Sequence, residues 1–170
     1  MKKLLFLSTM LLSATILFAQ QDKEKRPSPP AKATATIQSG AAVTIDYSQP
    51  SVKGRTIGKE IAPYGEVWRT GANEATVFEV SKDVTIDGKA LPAGKYGLFT
   101  IPGENEWVLI FNKTWQQWGA YKYKADDDVL RVTVKPVKAP TASERMTFTV
   151  SENGQVNLLW GDVSVPFVVK

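Results

Sequence analysis

The sequence predicts an all-β fold, a single-domain antiparallel β-sandwich or jelly roll. Three observations carry that expectation. Apolar and polar residues alternate with a period of two in most segments. Turn dipeptides separate those segments at short intervals. No helical periodicity of useful length lies between them.

The elements follow in chain order. Val43, Ile45 and Tyr47 face one way, and Thr44, Asp46 and Ser48 the other. Residues 51–64 read as a long loop with at most a short strand. Phe78 and Val80 belong to a second strand. The run WVLIF at 107–111 is apolar on both faces, as a central strand requires. Residues 114–120 hold the one plausible helical turn. Leu130, Val132 and Val134 alternate with Arg131, Thr133 and Lys135; Met146, Phe148 and Val150 alternate with Thr147, Thr149 and Ser151. Val156, Leu158 and Trp160, then Val163, Val165, Phe167 and Val169, complete the pattern. Asp87-Gly88 and Asn153-Gly154 are short-hairpin signals, because both residues of such a turn take positive φ. Ala93-Gly94 and Pro102-Gly103 mark two further reversals. Pro166 suits an edge strand, since it has no N–H to donate to a ladder.

The ends differ from this pattern. Lys2 and Lys3 precede an apolar run, and Ala19 offers a small residue before Gln20. Residues 1–19 therefore read as a secretory signal peptide, too short and wrongly flanked to span a bilayer. With no cysteine anywhere, lipid attachment at the cleavage point and disulfides are both excluded. The expected location is the periplasm, with the extracellular space as the alternative, and no part is expected to be membrane-embedded. Residues 20–33 mix charge with Pro27, Pro29 and Pro30 and lack large apolar groups, so they read as a disordered tether. The folded domain is then 34–170.

The net charge of +4 sits in the appendages. Lys2 and Lys3 belong to the signal, and Lys23, Lys25, Arg26 and Lys32 outnumber Asp22 and Glu24 in the tether. From Thr34 onward acidic and basic residues are equal in number. A nucleic-acid partner would demand a basic face on the domain, so none is expected.

The absence of histidine and cysteine removes the commonest general base, thiol nucleophiles and the usual zinc sites. No phosphate-binding glycine loop or dinucleotide fingerprint occurs. No cofactor, metal ligand or catalytic residue is implied. Paired carboxylates remain open as a hydrolase route. Asp126-Asp127-Asp128 suits a turn better than a calcium loop, having neither the spaced glycine nor the closing glutamate.

Within GEVWRTGANEAT, residues 68–76 admit two readings. In one, Val67 and Trp68 enter the core, Thr70-Gly71-Ala72-Asn73 forms a turn, and Arg69 pairs with Glu74 across it. In the other, Arg69, Asn73 and Glu74 line an open groove for a polar ligand. The tryptophans divide similarly. Trp107 and Trp160 share a phase with core residues. Trp115 and Trp118 stand in NKTWQQWGAYKYK beside Tyr121 and Lys113, where they either stack on a sugar or peptide or cap one end of the sandwich.

The runs EVWRTGANEAT, FEVSKDVTIDGKALPAGKYGLFTIPGENEWVLIFNK and WGAYKYKADDDVLRVTVKP resemble the bacterial family named domain of unknown function 2911, from about Ile45 to Val169. The resemblance implies a secreted or periplasmic β-rich protein of a Gram-negative bacterium and assigns no activity. The leading expectation is a non-catalytic binding module for a glycan or extended peptide. Its candidate residues are Trp68, Arg69, Asn73, Glu74, Lys113, Trp115, Trp118 and Tyr121. An interaction protein acting through an exposed strand edge near Pro166 is the second class.

Overall fold

The computed structural model describes residues 23–170. The expected signal peptide, 1–19, lies outside them, as do residues 20–22. Ten strands occur among the described residues: β1 (Pro30–Thr36), β2 (Ala42–Ser48), β3 (Thr76–Val80), β4 (Val84–Ile86), β5 (Lys89–Leu91), β6 (Gly94–Ile101), β7 (Trp107–Asn112), β8 (Asp128–Val134), β9 (Val137–Val150) and β10 (Gln155–Val168). Strands β1-β2-β3-β6-β7-β8 form one antiparallel sheet in that order. The second layer is the long β9–β10 hairpin, to which the short β4–β5 hairpin is joined. Thr85 and Lys170 exchange backbone hydrogen bonds, and Asp87 donates to the Val168 carbonyl, so β4 extends the β10 edge.

Register explains why the two layers close. Ile45 stands opposite Phe78, Phe78 opposite Tyr96, Leu98 opposite Phe111, and Leu109 opposite Val132. Because side chains alternate faces, these pairs form one continuous apolar surface across the sheet. Met146, Phe148, Leu158, Trp160 and Phe167 cover it from the other layer, all of them buried. Phe78 meets Phe111 edge-on at 5.0 Å, and Tyr47 meets Phe148 likewise. Burial of each such ring contributes about 1.5–3 kcal/mol. The two-faced run of β7 is interior to the sheet, between β6 and β8. Its Ile110 turns to the opposite face and packs with Phe99 and Ala75 in a second, smaller cluster.

The structure departs from expectation in several places. Residues 30–33, read as tether, are the first half of β1. Ala31 and Ala33 pack against the core, and small alternating side chains let this edge strand lie on β2 without bulky residues. Residues 114–120 are not helical; a short 3-10 turn follows them at Ala125–Asp127. Asp87 (φ 45°) and Gly88 (φ 84°) make the expected two-residue turn. Asn153 does not take positive φ. Gly154 alone does, at 84°, and its N–H donates to Ser151 O while Ser151 N–H donates to Gln155 O. That is a type I turn followed by a bulge. Gly154 also has no room for a side chain, since a Cβ there would stand 1.9 Å from Val169 O. The loop at 51–64 holds no named strand, as expected, only isolated bridges such as Ser51 with Arg145. Pro166 lies beyond the last ladder pair with β9, Ser164 with Val137, and the end of β10 past it is taken up by β4.

Candidate functional site

The cluster at 68–76 is an excursion from a strand position. Trp68 bridges Thr100 of β6, and Thr76 pairs with Leu98 two residues away on the same β6 edge. Between Trp68 and Thr76 the chain leaves the sheet and returns. Two residues take left-handed backbone to do so: Thr70 (φ 53°) and Asn73 (φ 58°). A β-branched residue there is strained, at about 1–3 kcal/mol, and persists only where the surroundings hold it. Thr70 is fully buried; its Oγ1 donates to Thr100 Oγ1 at 3.2 Å, and its carbonyl accepts from Thr76 Oγ1 at 2.7 Å. Gly71 fits for lack of a side chain, because a Cβ would meet Thr76 Oγ1 at 2.9 Å and Ser48 O at 3.2 Å.

Trp68 is used inside. Its ring stacks on Trp160 at 5.2 Å, meets Trp107 edge-on, and its Nε1 donates to Gly71 O. The expected Arg69–Glu74 pair does not form. Arg69 Nε is buried without an acceptor, and Arg69 makes no salt bridge among the described residues. Burial lowers the Arg69 pKa, with nearby Tyr121 opposing. Glu74 instead turns towards the N-terminal segment, where Arg26 Nη1 donates to its two oxygens at 3.1 and 2.9 Å and Lys23 Nζ stands 3.4 Å away.

The segment 113–124 lies against the excursion. Ala75 N–H donates to Gln117 O, Gly119 N–H to Asn73 O, and Glu74 bridges Trp118. Its shape is held from within by buried Gln117, whose Nε2 donates to Thr114 O and whose Oε1 accepts from Lys122 N–H. Buried Asn112 donates to Lys124 O and to Asp128 Oδ1. Asp128 Oδ2 accepts from Tyr123 Oη at 2.8 Å and Arg131 Nε at 2.7 Å, while Asp127 accepts from Thr114 Oγ1. Two members of the aspartate triplet thus anchor this loop to the sheet. Burial, then its hydrogen bond to Asp128, raises the Tyr123 pKa; Arg131's own hydrogen bond to Asp128 raises the pKa of Arg131.

What this scaffold presents is aromatic. Trp118 is 55% exposed and Tyr121 87%. Trp115 is half-buried, with Lys95 Nζ 5.6 Å from its ring centre. Lys113 is exposed, and its backbone N–H donates to Asp127 O. A hollow of about 460 Å³ runs between Trp115, Trp118, the residues Glu74 and Ala75 that precede β3, and Val77 of β3. A second hollow of about 170 Å³ shares those three residues and continues to Asp46 and Arg26. The arrangement therefore gathers Asn73, Glu74, Trp115 and Trp118 around one surface and leaves Trp68 to the core.

Arg26, Lys23 and Ser28 were missed by reading the sequence, because composition alone marks 20–33 as featureless. Ser28 O accepts from Asn73 Nδ2 at 3.0 Å, and the Arg26 guanidinium lies 5.8 Å from the Trp118 ring centre. The only signal was local: an arginine beside three prolines, a composition suited to extended docking.

Glu74 is held as an anion rather than as an acid. Burial alone would raise the Glu74 carboxyl, but hydrogen bonds from its own backbone N–H and Arg26, with the charges of Lys23 and Arg26, hold it below the ordinary range. A general acid needs the opposite shift. Asp46, across the smaller hollow, is paired with Lys32 at 2.8 Å. Among the described residues no group of three or more acidic side chains is placed to hold a metal, and no helix is long and apolar enough to cross a membrane.

No curated protein and no solved structure matches the chain. The family described as "Protein of unknown function (DUF2911)" matches residues 28–169, from the end of the docked N-terminal segment to the end of the second layer. This chain belongs to that family.

Proposed function

We propose that the protein is an exported, non-catalytic binding module whose ligand is an extended peptide. The ligand lies along the surface between Trp115, Trp118 and the start of β3. One observation carries the reading: a length of polypeptide, residues 26–28, already rests there, its carbonyl taken by Asn73 and its cation by Glu74 and Trp118. Half-exposed tryptophans supply rigid contact area at small entropic cost. Prolines lower the ordering cost of a partner that docks extended. Export is supported by Lys2, Lys3, the apolar run and Ala19.

A combined peptide and glycan array probed with the chain purified from the periplasm tests the reading. Extended peptides are expected to be retained above glycans, and Trp118→Ala to lose them with an unchanged melting temperature. Retention of glycans alone, or binding indifferent to Trp118→Ala, refutes it. Amino-terminal sequencing of the same material is expected to begin at Gln20; a chain still beginning at Met1 in the cytosol refutes export.

A further inference from the structure

We infer that residues 23–29 are a built-in competitor for this surface, and that the external ligand is a cationic peptide with an arginine immediately before a proline. The inference rests on the proposed binding role. It adds what the ligand is and how access to the surface is set.

The strap's own contacts define the chemistry. Arg26 donates one guanidinium nitrogen to both Glu74 oxygens while its central carbon stands 5.8 Å over the Trp118 ring centre, so charge and aromatic face are read together. Two residues later Asn73 takes the Ser28 carbonyl, and Gln49 N–H then donates to Pro29 O. Pro27 and Pro29 have no N–H to satisfy, so a segment held through carbonyls and one cation loses nothing by carrying them. Glu74 is the acceptor that selects the cation: its carboxyl is ionised at neutral pH and pairs with no cation of its own excursion, since its ion pairs are with Arg26 and Lys23.

The strap is also displaceable. Its ion pairs are open to water, with side-chain exposures of 50% for Lys23, 30% for Arg26 and 41% for Glu74. Such pairs are weak and screened by salt. From Pro30 onward the chain is locked by the seven-pair ladder of β1 with β2, so release stops there and leaves the fold intact. A tethered competitor acts at an effective concentration in the millimolar range, which lowers the apparent affinity of any ligand for the same surface by the fraction of time the strap is bound. A strap bound about nine-tenths of the time costs an external ligand about tenfold in affinity.

The test titrates a fluorescent synthetic peptide of residues 23–30, KEKRPSPP, into the exported chain and follows polarisation. Arg26→Ala is expected to bind this peptide about tenfold more tightly than the unaltered chain, and adding Glu74→Gln to Arg26→Ala abolishes that binding. The backbone amides of residues 23–29 are expected to become mobile by heteronuclear NOE when the peptide is added. Equal affinity for the unaltered and Arg26→Ala chains, or unchanged mobility at saturation, overturns the competitor. A peptide with alanine for its arginine that binds as well as the original overturns the cation specificity. If array peptides bind through Trp118 yet Arg26→Ala leaves their affinity unchanged, this inference fails while the binding role stands. If no peptide binds any variant, both fail.

Discussion

Replacing Arg69 by methionine is expected to stabilise the protein. Arg69 is a half-buried cation with a buried Nε that has no acceptor, and no carboxylate pairs with it, among the described residues. An unsatisfied buried donor costs about 1–3 kcal/mol, and partial exposure of the rest of the guanidinium roughly halves that. Methionine keeps the straight stem that packs against the excursion and removes the orphaned donor. A net gain of about 1 kcal/mol follows, which for a domain of this size raises the melting temperature by about 3 °C. Burial depresses the Arg69 pKa, so its charged form is disfavoured in the fold and relief by deprotonation comes only at strongly alkaline pH. The gain from Arg69→Met is therefore flat between about pH 5 and 9, where arginine stays protonated. Thermal unfolding by calorimetry across that range measures it. A melting temperature lowered by several degrees would show that the guanidinium holds the excursion together and would refute the argument.

Three further outcomes are expected. Phe78→Ala removes a fully buried ring that meets Phe111 and Phe167, and urea unfolding should report a loss of about 3–5 kcal/mol. Gly154→Ala places a methyl against Val169 O at positive φ and should cost about 2 kcal/mol or more, with early loss of protection at the Val169 amide, which donates to Gly154 O, in hydrogen exchange. Acid should free the strap before it unfolds the domain. The Glu74 carboxyl is held below its ordinary range, so its contribution is complete above about pH 4.3 and fades as pH falls through the lower folded value. Heteronuclear NOEs of residues 23–29 read this directly, and a strap that stays ordered at pH 2 contradicts it.

Much of the fold was legible because a half-buried strand writes its pleat into its residues. Val43, Ile45 and Tyr47 in β2, Met146 and Phe148 in β9, and Leu158 and Trp160 in β10 all face the core their alternation pointed to. The two-faced run in β7 likewise marked an interior strand, because both of its faces meet apolar clusters. Where burial is slight the pleat leaves little trace. β1, with its row of alanines, lysine and threonines, carries no large apolar side chain, and its strand exists because β2 offers a free edge. Asn153-Gly154 does turn the β9–β10 hairpin, but not with both residues at positive φ, because docking of Val169 against Gly154 sets the backbone there.

At the candidate site, the residues alone marked 68–76 and 113–121 as chemically unusual, and the structure brings them together through backbone hydrogen bonds between Asn73, Ala75, Gln117 and Gly119. Which side chains face solvent was not written in that composition. Trp68 and Trp118 are the same residue type in equally polar surroundings, yet one stacks on Trp160 and the other stands open to water. Glu74 had Arg69 five residues away, but its partner is Arg26, forty-eight residues distant. Periodicity, turns and composition are local properties, so the sequence by itself determined the fold class and the absence of histidine and cysteine. Partners across the chain depend on where the excursion and the strap meet in space, and only the folded arrangement decides that.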